Sequence, residues 1–410
     1  MSDSSSSSRN WRDTFSSLKV RNYRYLWLGI LFMMGGMQMQ SIARGYLVYE
    51  LTSSPILLGV VSAGFAIPML CLALFGGVIA DRFERKRIIQ VCQALGGLTS
   101  LVIAITISTK TVTWVHLFVA SFLHGIIFSF MIPSRTALIP QLVRSDLVTN
   151  ALALNSAAMS SMTLLAPAFA GNLYNLVGPA GVYYIICALE FIAVVCTGLI
   201  RDVDRSPERR SVPMMGDIIA GLKYMVTNPL IRVLLGMALA TALLAMPIRF
   251  LLPIFIVDIY RRGPEALGLL VSVLGLGALA GSLGIAAMGR WRRGIVLILG
   301  GITSGLGLLM IGLIPVYSIA AFLMVLLGLG DSARRSLNMA LLLEVTDQQY
   351  RARVSSVYMM NFGLMPLGIL PAGMIAEYFG AQAAAGTLAV ALLIVCLSVG
   401  IFYKPLRKMM

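Results

Sequence analysis

The chain has 410 residues, 58% of them hydrophobic and 12% charged, with a mean hydropathy of +0.88. A water-soluble surface normally carries about a quarter charged residues, so a soluble globular protein is excluded and lipid is the main solvent. The 32 Lys+Arg exceed the 17 Asp+Glu, yet no basic run is interleaved with aromatics and the charges stand between apolar stretches, which argues against a nucleic-acid partner.

Residues 1–22 form a polar, Ser-rich segment without a signal peptide's short apolar core, so the first helix is expected to act as its own insertion signal. Crossing the hydrocarbon takes about 20 mostly apolar residues in a helix, because backbone polar groups must be satisfied internally there. Twelve stretches qualify: Trp27–Tyr49, Leu57–Ala80, Ile88–Ile107, Trp114–Ile132, Ala151–Tyr174, Val182–Ile200, Leu234–Val257, Leu267–Met288, Ile295–Val316, Ile319 to about Ser336, Val354–Met374 and Ala384–Tyr403. Asp331, Arg334 and Arg335 interrupt the inner end of the tenth.

With the N-terminus in the cytoplasm, Arg82, Arg85, Lys86, Arg87, Arg135, Arg144, Arg290, Arg292, Arg293, Arg351 and Arg353 all fall in cytoplasmic loops, while only Lys110, Arg261 and Arg262 fall opposite. This asymmetry places both termini in the cytoplasm and favours an even number of crossings. A charged, Pro-containing linker at 201–228 ends in an amphipathic stretch, MMGDIIAGLKYMV, read as a helix on the membrane surface. It separates a six-helix half at 23–200 from another at 229–403, followed by a tail at 404–410. The halves resemble each other: SPILLGVVSAGFAIP (54–68) matches GPEALGLLVSVLGLG (263–277), and HGIIFSFMIPSRTALIPQLV (124–143) parallels LGLGDSARRSLNMALLLEVT (327–346). The expected fold is therefore an all-α membrane protein with twelve transmembrane helices in two six-helix pseudo-repeats.

The junction between the second and third stretches reads Gly77-Val-Ile-Ala-Asp81-Arg82-Phe-Glu-Arg85-Lys86-Arg87. It resembles the G-x-x-x-D-R-x-G-R-R signature of the major facilitator superfamily. ARGYLVYELTSSP (43–55) and MIPSRTALIPQLV (131–143) resemble more narrowly its bacterial enterobactin-exporter-like efflux branch. The resemblance implies a monomeric transporter in the bacterial cytoplasmic membrane, with a small organic substrate between the halves and no cofactor beyond a proton gradient. It also implies a cytoplasmic gate at Gly77, Asp81, Arg82 and Arg85, to which Asp331, Arg334 and Arg335 are added here from the other half. Three departures stand out: Glu84 replaces the signature glycine, the second copy has Met288 for the acid, and the R-x-x-Q-G of many drug/proton antiporters is replaced by Ser121-Phe-Leu-His124-Gly125.

An ionisable residue at mid-bilayer costs about 2.5–3.5 kcal/mol on insertion scales, so each needs a partner, a wet cavity or a route to the interface. Arg44 shares a helical face with Met33, Met37 and Gln40, a candidate cavity wall, and Arg249 stands at a comparable level in the seventh stretch. The pair would attract an anionic or zwitterionic substrate, or close an outer gate. The alternative is that each snorkels to the interface beside Tyr46, Tyr49 or Asp258. Glu190, the one acid deep in the apolar body, is a candidate proton carrier or a neutral packing group. Asp331 has Arg334 and Arg335 at i+3 and i+4, a spacing that fits a structural ion pair. Gln38, His124, Asn155, Tyr358 and Asn361 are candidate cavity donors or interhelical hydrogen bonds. His116 and His124 are too far apart to share a metal, and the five cysteines form no CxxC pair.

No Walker motif occurs, so ATP cannot drive the protein directly and an ion gradient remains as the energy source. A membrane enzyme would need clustered nucleophiles, bases or metal ligands, and none is evident. A lipid-handling protein or non-transporting receptor on the same fold is the remaining alternative.

Overall fold

The computed structural model describes residues 15–201, 223–288, 292–348, 350–361, 363–407 and 409, and within its helices the side chains of 73–78, 80–82, 286, 352–353, 356 and 359–360 lie outside that description. Among the described residues the chain is helical with no strand, and ten helices are long and apolar enough to cross a membrane. The protein is a multi-pass membrane protein. Large apolar side chains such as Leu176, Leu283, Phe322 and Phe402 face outward, as a lipid-bathed surface requires.

Four helices, α1 (Arg21–Thr52), α2 (Pro55–Arg82), α3 (Arg85–Ser108) and α4 (Trp114–Leu142), follow through short connections. Ser53 ends α1 in a left-handed conformation, and the Ser54 hydroxyl accepts from Leu57 N at 3.3 Å to start α2, with Pro55 in its first turn. The next run, Val148–Gly198, is broken only at Gly178 (φ 71, ψ 173), a conformation available mainly to glycine, and Pro179 follows with no N–H to continue the ladder. Its arms are α5 (148–177) and α6 (179–198). The sequence places a seven-residue loop here; a single glycine makes the turn.

Asn228 opens α7 (Pro229–Leu244) by accepting from Leu230 N at 3.1 Å and Ile231 N at 3.3 Å. Beyond Pro247 the chain resumes as α8 (Ile248–Ile254) and a π-helical turn (Phe255–Ile259), so one expected stretch is built from three pieces. Then come α9 (Pro264–Met288), α10 (Arg293–Leu313) and α11 (Tyr317–Val345). Another expected stretch is split into α12 (Arg351–Met360) and α13 (Pro366–Phe379), because Pro366 cannot donate back across 361–365. The last long helix is α14 (Ala381–Phe402). The linker and most of its expected surface helix lie outside the described residues; 223–227 is helical.

Buried apolar side chains fall into unequal clusters. One lies at the end of the bundle away from the chain termini, here the distal end, and unites Leu47 of α1, Leu58 of α2 and Ala170 of α5 with Leu251 of α8, Leu267 of α9 and Ala372 of α13. At the terminal end there are two separate clusters, one around Tyr23, Ile89 and Leu138 and the other around Leu234, Leu297 and Leu341. Among the described residues the halves are thus welded distally and carry separate apolar clusters at the terminal end.

Glycines permit the weld. A Cβ on Gly171 would collide with the Pro264 carbonyl oxygen and one on Gly268 with the Pro167 carbonyl oxygen, so α5 and α9 meet backbone to backbone. Hydrogen bonds between the halves cluster there as well. Tyr49 donates to Asp258, Asn175 donates to Glu265, Ser54 Oγ donates to Glu377 at 2.7 Å, and Ala168 N donates to Ser272 Oγ at 3.0 Å.

Candidate substrate cavity

Below the weld, a cavity of about 260 Å³ opens between the halves. Its α1 wall is Gln38, Ser41, Gly45 and Val48, a 3-4-3 progression along one helical face, with Arg44 beside it. Across from α1 stand Arg249, Phe250 and Pro253 of α8, Leu267 and Val271 of α9, and Arg335 of α11. Gln40 corrects the expected face: it is buried inside the protein with Nε2 unpartnered and does not line the cavity, and Met33 is buried too. Apolar residues surround α1 on nearly every side, so the sequence offered no periodicity to select a face.

Arg44 borders the cavity with no ion-pair partner among the described residues; Asp258, its expected neighbour, accepts from Tyr49 instead. Arg249 is paired with Asp331, Nη2 to Oδ2 at 3.6 Å, not with Asp258. Asp331 also contacts Arg334 Nη2 at 2.6 Å through Oδ1 and Arg335 Nη2 at 2.6 Å through Oδ2. Only the first of these two is aligned as a hydrogen bond, since Oδ2 has no well-directed donor. The i+3 and i+4 spacing on α11 therefore does form an ion-pair cluster, with a third cation the sequence did not assign to it. At 1.5 Å per residue, Asp331 lies roughly 21 Å along α11 from Tyr317 and Arg249 roughly 17 Å from Tyr260, so the two share a depth. The expected tenth stretch ended near Ser336, which made Asp331 look terminal; α11 runs on to Val345 and the residue is mid-helix. Arg335 accordingly lines the cavity, with Asp331 and Arg334 beside it at mid-helix.

Arg334 is only 1% exposed, and its Nε and Nη1 find no hydrogen-bond acceptor among the described residues. Beside it a pocket of about 30 Å³ is lined by Thr241, Arg335, Asn338, Tyr358 and Asn361, and it shares Arg335 and Met246 with the larger cavity. Tyr358 Oη donates to the Arg335 carbonyl at 3.4 Å, and Asn338 Nδ2 to the Leu234 carbonyl at 3.0 Å.

Other expected site residues lie apart from both spaces. His124 is buried and its Nδ1 donates to the Ala120 carbonyl at 2.7 Å, a bond within α4. Asn155 packs on α5, with Nδ2 3.9 Å from Met159 Sδ. Glu190 is 6% exposed, wedged where α6 crosses α1 and α3: a Cβ on Gly36 or Gly96 would stand 3.7 or 3.6 Å from its carboxyl group. The side chains of Gly77, Asp81 and Arg82 lie outside the described residues, so their latch is untouched by these contacts. Nearby, Arg85 Nη1 donates to the Ala137 carbonyl at 3.1 Å, and Glu84 pairs with Arg87 at 2.7 Å. Ser41, Ser62, Phe250 and Val271 also line the cavity and were not singled out from sequence; the 3-4-3 step from Gln38 was the available signal for Ser41, and no local pattern marks the other three.

The fold, a multi-helix bundle whose halves meet around a cavity, is shared with solved structures. The nucleoside transporter NupG aligns with a TM-score of 0.74 at 15% identity, covering 93% of this chain and 99% of its own. A bacterial homolog of the human lysosomal transporter Spinster, inward-facing and occupied, aligns at 0.73 with 15% identity, covering 95% and 97%. The chain belongs to the transmembrane secretion effector family of major facilitator transporters, whose model matches residues 12–409. Curated relatives include the enterobactin exporter EntS of Shigella boydii serotype 18, 23% identical over 70% of this chain and 68% of the relative. EntS of Citrobacter koseri is 23% identical over 72% of each chain.

Proposed function

We propose that the protein is a secondary active exporter that moves an amphipathic small molecule outward by alternating access, in exchange for protons. The observation that carries this is the cavity itself, bounded by both halves, polar at Gln38, Ser41, Arg44, Arg249 and Arg335 and apolar along Phe250, Pro253, Leu267 and Val271, with the described apolar clusters joining the halves distally and separate at the terminal end. Counting α5 and α6 separately and adding the split α12–α13 element to the remaining spans gives twelve crossings. Paired contacts support two pseudo-repeats: α2 packs on α4 as α9 packs on α11, and the halves meet through α5–α9 and α2–α13. With the basic loops in the cytoplasm, the terminal end is cytoplasmic, and the arrangement is an inward-open state of a bacterial inner-membrane protein. The exporters among its relatives support the direction.

Uptake of cationic dyes, siderophores and lysolipids into everted vesicles with an imposed pH gradient tests this. Gradient-dependent accumulation of at least one compound is expected. Accumulation that survives collapse of the gradient would remove proton coupling, and full pH-driven transport by Glu190→Gln would remove Glu190 as the carrier.

A further inference from the structure

The charges around the cavity do not balance. Among the described residues Arg44, Arg249 and Arg335 line it and no acidic side chain does; behind them Arg334 is buried, and one carboxylate, Asp331, serves Arg249, Arg334 and Arg335 together. Four guanidinium groups against one carboxylate leave a local excess of three positive charges, in a region where an uncompensated charge is costly. Asp331 divides its oxygens unequally. Oδ1 holds Arg334 in an aligned hydrogen bond at 2.6 Å, while Oδ2 lies against Arg335 and Arg249 without hydrogen-bond alignment to either.

We infer that the cavity binds an organic anion, a carboxylate or similar oxyanion at one end of an apolar body, and that Asp331 is the internal counter-ion this group displaces from Arg249 and Arg335. The ligand's oxyanion takes the planar donors of Arg249 and Arg335, with Arg44 across the cavity adding a third charge. Its apolar body lies along Phe250, Pro253, Leu267 and Val271. Arg334 keeps Asp331 Oδ1 throughout, so the displaced carboxylate stays neutralised. A cavity of about 260 Å³ suits a molecule near the lower end of small-ligand size. The inference rests on the cavity being the transport site, and it deepens that proposal by naming the substrate class.

Purified protein in detergent is titrated with 1-naphthoate and decanoate, and in parallel with their uncharged primary amides, following thermal denaturation by intrinsic fluorescence. The carboxylates should raise the melting temperature in a saturable way and the amides should not. Arg335→Gln and Arg249→Gln, both about a third exposed, should weaken apparent carboxylate affinity about tenfold each, the loss of one charge-assisted contact. Asp331→Asn, whose amide oxygen unlike an alanine still accepts from Arg334 while Arg249 and Arg335 lose their counter-charge, should bind the carboxylates more tightly than the parent. Equal protection by acid and amide, unchanged affinity in both arginine variants, or absence of protection in the parent and in Asp331→Asn alike would overturn the inference. Because binding is read without transport, carboxylate protection in a protein that fails the vesicle assay would leave this site standing and remove only the exporter.

Discussion

Two carboxylates are buried among the described residues of this bundle, and their surroundings are opposite. Asp331 sits at mid-helix among three arginines, where both halves contribute to the wall of a cavity. Glu190 sits inside one half, against the glycines of two crossing helices, with no ion pair among the described residues and no share in the cavity. Sequence alone makes Glu190 a candidate proton carrier or neutral packing group and gives Asp331 a structural ion pair with Arg334 and Arg335. The surroundings separate them: a carboxylate ringed by cations governs the charge of the cavity, whereas one wedged between glycines governs how closely helices pack.

The largest effect expected from breaking this contrast is Asp331→Ala. It strands three cations and should cost about 3–5 kcal/mol, read as loss of folded protein in size-exclusion profiles. Arg334→Gln comes next, at about 1.5–3 kcal/mol, because it removes the one aligned charged hydrogen bond to Asp331, and it should lower the melting temperature without changing which end of the cavity is open. Gly268→Val drives a side chain into the Pro167 carbonyl across α5–α9, costs about 1–3 kcal/mol, and should expose cavity residues to reagents from the distal side. Glu190→Gln keeps the shape of the wedge and should shift stability by less than about 1.5 kcal/mol. A large loss there, matched by a small one in Asp331→Ala, would invert the comparison.

Much of the fold was legible because membrane insertion demands long apolar helices, and those show plainly in composition. What the sequence hid were the interruptions and the faces. Gly178 turns the chain alone where a loop looked necessary, and Pro366 splits a stretch that reads as one apolar run. Arg334 and Arg335 look like a helix end by their charge, yet α11 carries them at mid-depth because Asp331 compensates part of that charge in place. The spacing on α11 disclosed its internal pairs. The partnership of Arg249 with Asp331 links residues 82 apart in sequence, and no local pattern encodes it. Gln40 and Arg44 were expected on one cavity face, and only Arg44 is there, since an almost uniformly apolar helix such as α1 carries no stripe to orient it.

The most direct test compares reagent access to the two regions without needing a known substrate. In a variant with Cys71, Cys92, Cys187, Cys196 and Cys396 replaced, Ser41→Cys places a thiol on the cavity wall, and Ser100→Cys places one in the fully buried α3 contact one turn beyond Gly96. With the terminal end cytoplasmic as proposed, a membrane-impermeant thiol reagent should label Ser41→Cys in everted vesicles at least about tenfold faster than in right-side-out vesicles, and should leave Ser100→Cys unmodified in both. Labelling of Ser41→Cys only from the distal side, or of Ser100→Cys at a comparable rate, would contradict an inward-open cavity between the halves.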